Sequence, residues 1–180
     1  MLEKLWELKE KLYRRINGWL YTDKRIVGNL DLATWNTVSP IEDGVKVSYD
    51  YVERFTVEEK EIMAMAVVMA EDEIYIAYSA EAIKENLFSL NPLIVWSEIM
   101  NLARHEAFHA RQYRYIIKRG GMEAVGRMRE YMATVDYEDN ILEQGAYAYQ
   151  FLGEEQDFSV FDKYIYPDET KADTEDKQFL

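Results

Sequence analysis

This 180-residue chain contains only two histidines, and they stand four apart in His105-Glu106-Ala107-Phe108-His109. On a helix, residues four apart lie on one face a turn apart, with roughly 6 Å between their Cβ atoms. Two imidazoles so placed can both reach one zinc ion, at a Zn–N distance of about 2.0–2.1 Å. Glu106, next to the first imidazole, can point to the same side and reach water at the ion without binding the ion itself. The chemistry this implies is metal-assisted hydrolysis, with the two histidines as ligands and the glutamate as general base. Chance is a poor explanation for the pattern. Two histidines placed at random in a chain of this length fall four apart in roughly 1% of arrangements, and with a Glu after the first the joint chance is on the order of 0.1%.

A hydrolytic zinc site needs a third protein ligand and an open position for water. The chain has no third histidine and no cysteine, so that ligand must be Asp or Glu. The candidate stretch runs from Tyr137 to Tyr149. Glu143 lies in its middle, among the apolar or small Leu142, Ala146, Tyr147 and Phe151. Glu138 and Asp139 are the alternatives, nearer a helix start, where the helix dipole favours acids whatever their role.

Composition narrows the remaining classes. The apolar fraction of 48%, with 14 Tyr, 7 Phe and 4 Trp, is enough for a sizeable core and rules out general disorder. The net charge is −13. A surface that acidic repels phosphate backbones and anionic headgroups, so neither nucleic acid nor membrane is expected as a partner. The longest apolar run, Ile62 to Ala70, is nine residues and too short to span a bilayer. The N-terminal stretch mixes charges with its apolar residues and has no signal-type block, so a cytoplasmic location is the expectation. The absence of cysteine excludes disulfides, thiolate catalysis and Cys-ligated metals.

The elements that must position these residues follow from periodicity. Residues 2–20 read as an amphipathic helix through Leu2, Leu5, Trp6, Leu12, Tyr13, Ile16 and Trp19. Residues 21–44 carry turn formers and no clear period. The alternation at 45–51 predicts a strand, as does EIYIAYS at 73–79. Thr56 and Glu59 have capping-box spacing, and the Ala, Met and Glu that follow predict a helix over 57–70. A short helix follows from Ser79 or Ala80 to about Leu87. Asn91-Pro92 opens the helix that bears the histidines, and Gly120-Gly121 stops it near Arg119. Its stripe of Trp96, Ile99, Ala103, Ala107 and Ala110 lets another element pack close. Further helices are expected over 122–134 and from Asp136 to Phe151. The second of these holds Gly145 in its interior, at a cost of about 1 kcal/mol against Ala. The expected class is α+β, mostly helical, with a small sheet packed on the histidine-bearing helix. Residues 1–152 form a single domain, with 1–44 an N-terminal helix and loop region and 45–152 the catalytic core. Residues 153–180 form an acidic C-terminal segment with a loose end.

HEAFHARQ followed by LEQGAYAYQ resembles the gluzincin class of zincin metallopeptidases, in particular the small ImmA/IrrE-like and peptidase-MA-like groups of bacteria and their phages. The resemblance covers about residues 73–151. It implies a zincin-like fold in which His105 and His109 are ligands, Glu106 is the general base and Glu143 is the third ligand. Glu143 and Ala146 match the family's E-x-x-A pattern. The resemblance also implies Zn2+ as cofactor, a peptide or protein as substrate, and a strand before the active-site helix at the sheet edge, where EIYIAYS stands. Such enzymes need a further donor for the oxyanion, and with no histidine left a tyrosine is expected. Tyr147, one turn past Glu143, is the first candidate, followed by Tyr149, Tyr113 and Tyr78. Two features depart from the family. Glu143 follows His109 by 34 positions, which requires an inserted helix, and Tyr147 stands where some gluzincins carry an Asp. A catalytically silent zinc-binding relative acting through partner binding, and a metal-free helical interaction protein, are the competing classes.

Overall fold

The computed structural model describes residues 2–57 and 59–166. The architecture is α+β, mostly helical, with a small mixed sheet packed on one long helix. The helices are α1 (Leu2–Leu20), α2 (Asp23–Thr37), α3 (Ala80–Leu87), α4 (Pro92–Met132), α5 (Ile141–Leu152) and α6 (Asp162–Ile165). The strands are β1 (Ile41–Glu42), β2 (Val45–Val52), β3 (Thr56–Val57), β4 (Lys60–Glu61), β5 (Ala64–Ala70) and β6 (Glu73–Ser79). No helix among the described residues is long and apolar enough to cross a membrane.

The main sheet has the order β1-β2-β6-β5, with β2 parallel and β5 antiparallel to β6. Both strands expected from alternation, β2 and β6, are present. β6 is not the edge. Ile74, Ile76 and Tyr78 are buried on one face and Ala77 and Ser79 on the other, the pattern of a strand covered on both sides. The edge position belongs to β5, where a helix over 57–70 was the expectation. Thr56 and Glu59 cap no helix. β3 and β4 form a short hairpin there, with Glu59 in its turn at φ 65°. Helix propensities favour Ala and Met by only tenths of a kcal/mol per residue. Pairing with β6 through the two-residue link Glu71-Asp72, and burial of Ala66 and Val68, outweigh them.

Residues 23–37, expected to lack a regular period, form α2. Its buried residues Ile26, Leu30, Ala33 and Thr34 make a helical stripe packed along α4. α1 is present as expected, and Asn17 pins its end by donating to the carbonyls of Phe88 and Leu90. Much of its apolar face stays in solvent, with Trp6 68% and Trp19 77% exposed.

α4 carries the core. Ile99, Ala103, Ala107 and Ala110 are fully buried, whereas Trp96 at the head of the expected stripe is half exposed. The helix breaks where Gly120-Gly121 predicts. Both glycines leave helical backbone geometry, and Gly121 sits at φ 59°, a region strained for any residue with a Cβ. The arm beyond the break ends at Met132, and a 3-10 turn (Tyr137–Asp139) precedes α5. α5 starts at Ile141 rather than at Asp136, because the Asn140 side chain caps it by accepting from the Leu142 amide. After α5 the chain turns back, and Phe161 and Ile165 join the core beside α4. The stretch expected to be loose, the last dozen or so residues, lies outside the described residues.

Candidate metal centre

α4 presents His105, Glu106 and His109 from its most tightly packed turns, and all three are buried. α5 crosses this segment and brings Glu143 between the two imidazoles. Glu143 Oε2 lies 3.2 Å from His105 Nε2, and Glu143 Oε1 lies 3.4 Å from His109 Nε2. The two Nε2 atoms are 3.1 Å apart. His105, His109 and Glu143 form a group whose ligand atoms all lie within 4.8 Å of one another. Glu138 and Asp139, the alternative third ligands, sit on the exposed turn before α5 and are not part of this group.

The donor set can be tested against a metal. The far side of each imidazole meets a glutamine: His105 Nδ1 lies 3.0 Å from Gln150 Oε1, and His109 Nδ1 lies 2.7 Å from Gln112 Oε1. An oxygen only accepts, so both Nδ1 atoms must donate, and a neutral imidazole then carries its lone pair on Nε2. Two lone pairs and a carboxylate converge on one point with no donor among them, which is a site for a cation. The spacing agrees as well. Ligand atoms held about 2.0–2.1 Å from a tetrahedral zinc lie about 3.3 Å from each other. The two Nε2 atoms are 3.1 Å apart and each lies 3.2 or 3.4 Å from a carboxylate oxygen, His105 from Oε2 and His109 from Oε1, and with one atom taken from each residue all three lie within 4.8 Å of one another. These residues therefore fit a divalent metal.

The charges respond to this crowding. Burial alone would raise the Glu143 carboxyl. The two imidazoles packed against it and the Tyr137 hydroxyl reverse that and hold it well below the usual carboxylate range. Burial would lower His109, but Glu143 and Glu106 together raise it. Glu106 stands outside the donor group and faces β5, beside the Ala66 backbone. Burial pushes its carboxyl above the ordinary value, against the pull of the two imidazoles. A carboxyl shifted upward is better matched to moving protons near neutrality.

A cleft of about 660 Å³ opens over the group. β5 forms one wall with Met63, Met65 and Ala66, and Leu102, Met132 and Tyr147 stand opposite or alongside. Of the four tyrosines considered from sequence, two line this cleft. The Tyr147 ring lies against His105, with centroids 4.8 Å apart. Tyr113 projects from α4 one turn after His109, and burial pushes its hydroxyl up to about 12. Tyr149 instead stacks on Phe108, and Tyr78 is fully buried against Thr34. Neither of them lines the cleft.

Tyr137 escaped the sequence reading. Its hydroxyl is 3.2 Å from that of Tyr147, and it also faces Glu143. Gln112 and Gln150 were missed too. Gln112 carries a faint signal, three positions after His109 on the same helix face, whereas nothing local marks Gln150.

No family model, no curated protein and no solved structure matches this chain.

Proposed function

We propose that this chain is a zinc-dependent metallopeptidase of the gluzincin type. The observation that carries the reading is the convergence of His105, His109 and Glu143, whose ligand atoms lie within 4.8 Å of one another, with buried Glu106 beside them and facing β5. Zinc held by these three side chains would supply a Lewis acid that polarises a scissile carbonyl and brings the pKa of water toward neutrality.

The protein's own groups supply the rest. Glu106 takes the proton of the attacking water and later delivers it to the leaving amine, a role that suits a carboxyl raised by burial. Among the described residues β5 pairs only with β6, and its other edge borders the cleft. An extended peptide can add to that edge through main-chain hydrogen bonds, which draws its backbone past Glu106. Methionines and leucines of the cleft accept apolar side chains. The hydroxyl of Tyr147, oriented by that of Tyr137, is the donor proposed for the developing oxyanion.

The test uses internally quenched peptides with extended apolar sequences. Zinc-loaded protein is expected to cleave them, a strong chelator to stop cleavage, and added zinc to restore it. Activity should fall on the acid side, where protons compete with zinc for all three ligands and Glu106 loses its basic form. Cleavage that persists at full rate after complete zinc removal contradicts the reading.

A further inference from the structure

Gly145 stands in the interior of α5, where glycine weakens a helix. Its position has a specific cause. A Cβ built there would lie 2.2 Å from Gln156 Oε1, 2.4 Å from its Cδ and 2.6 Å from its Nε2. The entire amide head of Gln156 therefore occupies the space above Gly145. Its neighbours hold it there. Glu155 takes two hydrogen bonds from the Arg111 guanidinium, at 3.0 and 2.7 Å. Asp157 accepts from the Ser159 amide and caps the next turn.

The contacts of Gln156 run toward the metal centre. Its Nε2 donates to the Ile141 carbonyl at 3.0 Å, which fixes the orientation of the amide and points Oε1 at Gln112. Gln112 is fully buried. Its Nε2 donates to Gln156 Oε1 at 2.8 Å and to the Leu142 carbonyl at 2.9 Å. Both partners only accept, so Gln112 cannot be flipped, and its Oε1 must face His109 Nδ1 at 2.7 Å. Nδ1 is thereby required to carry a proton, and Nε2 is left as the ligand atom.

We propose that Gly145, Gln156 and Gln112 form an amide relay that fixes the tautomer and direction of His109. The relay ties the segment after α5 to the metal centre by way of two backbone carbonyls of α5. It places a neutral amide where metal-ligating histidines often have a carboxylate. Gln112 acts directly on His109, while Gly145 and Gln156 are positioning residues that act through Gln112. The proposal rests on the reading of His105, His109 and Glu143 as zinc ligands and is independent of peptidase activity.

Zinc affinity of the full chain, measured by competition with a chromophoric chelator, tests the relay. Gln112→Leu should weaken binding by about tenfold or more, as for the direct partner of a ligand. Gly145→Ala and Gln156→Ala should each weaken it about threefold or more, below the range for a direct partner. The double variant should match Gln156→Ala alone, because the added methyl then has no amide to displace. A glycine that matters only to α5 itself predicts instead that Gly145→Ala changes zinc affinity by the same factor in the Gln156→Ala background as in the wild type. A second readout needs no metal. Two-bond 1H–15N spectra of the metal-free protein at alkaline pH should show a proton on His109 Nδ1 in the wild type and its transfer toward Nε2 in Gln112→Leu. Affinities within twofold of wild type for Gly145→Ala and Gln156→Ala, or a wild-type His109 without a proton on Nδ1, overturn the relay. A wild type that holds no zinc overturns the zinc reading, and the tautomer of His109 then decides the relay by itself.

Discussion

Glu106→Gln is expected to keep zinc near one ion per chain while peptide hydrolysis falls by about 10²-fold or more, the scale for removing a positioned base. The substitution preserves the size of the side chain and its capacity to hydrogen-bond, but it removes the proton acceptor. Glu106 lies outside the group formed by His105, His109 and Glu143, so the loss of its charge does not remove a ligand. It is buried, and a neutral amide there avoids the cost of an isolated charge, so the fold should tolerate the change. The experiment reads zinc content and hydrolysis on the same preparation. If wild type binds zinc yet cleaves nothing across a broad peptide library, and Glu106→Gln changes neither binding nor stability, the catalytically silent reading replaces the peptidase.

Glu143→Ala is expected to weaken zinc binding by at least about tenfold, because two imidazoles alone leave a four-coordinate ion short of protein donors. Glu138→Ala and Asp139→Ala should leave zinc binding as it was, since both acids lie on the exposed turn before α5. The contrast separates a ligand from general acidity near the cleft, which would make all three substitutions behave alike. Titration with a competing chelator at fixed pH measures it. Sensitivity at Glu138 or Asp139 instead would place the ligand on the turn and invalidate the present geometry.

The grouping of His105, His109 and Glu143 was legible because the sequence offers so few alternatives. With no cysteine and no third histidine, the remaining donor had to be an acid on a later element, and Glu143 is the one set among apolar neighbours. The partners around this group were not legible. Gln150, Gln156 and Tyr137 reach it only because α5 folds across α4 and the following segment turns back, and neither event leaves a periodic trace. The main error in the fold was β5. Its alanines and methionines favour a helix in isolation, and what makes the segment a strand is the pairing surface of β6. α2 was hidden for a related reason. Asp23, Gly28, Asn29 and Asn36 suggest turns, yet Ile26, Leu30 and Ala33 bury a helical stripe against α4. Gly145 looked like a local defect of α5 and is the position that admits the Gln156 amide.

The central claim is that His105, His109 and Glu143 hold one zinc ion. Its most direct test is elemental analysis of the full chain, purified without a histidine tag, loaded with excess zinc and then dialysed against zinc-free buffer near neutral pH. The account predicts about one zinc per chain in the wild type and none in His105→Ala or His109→Ala, each folded as judged by circular dichroism. Wild-type protein that retains no zinc, or the same zinc content in all three proteins, would contradict it.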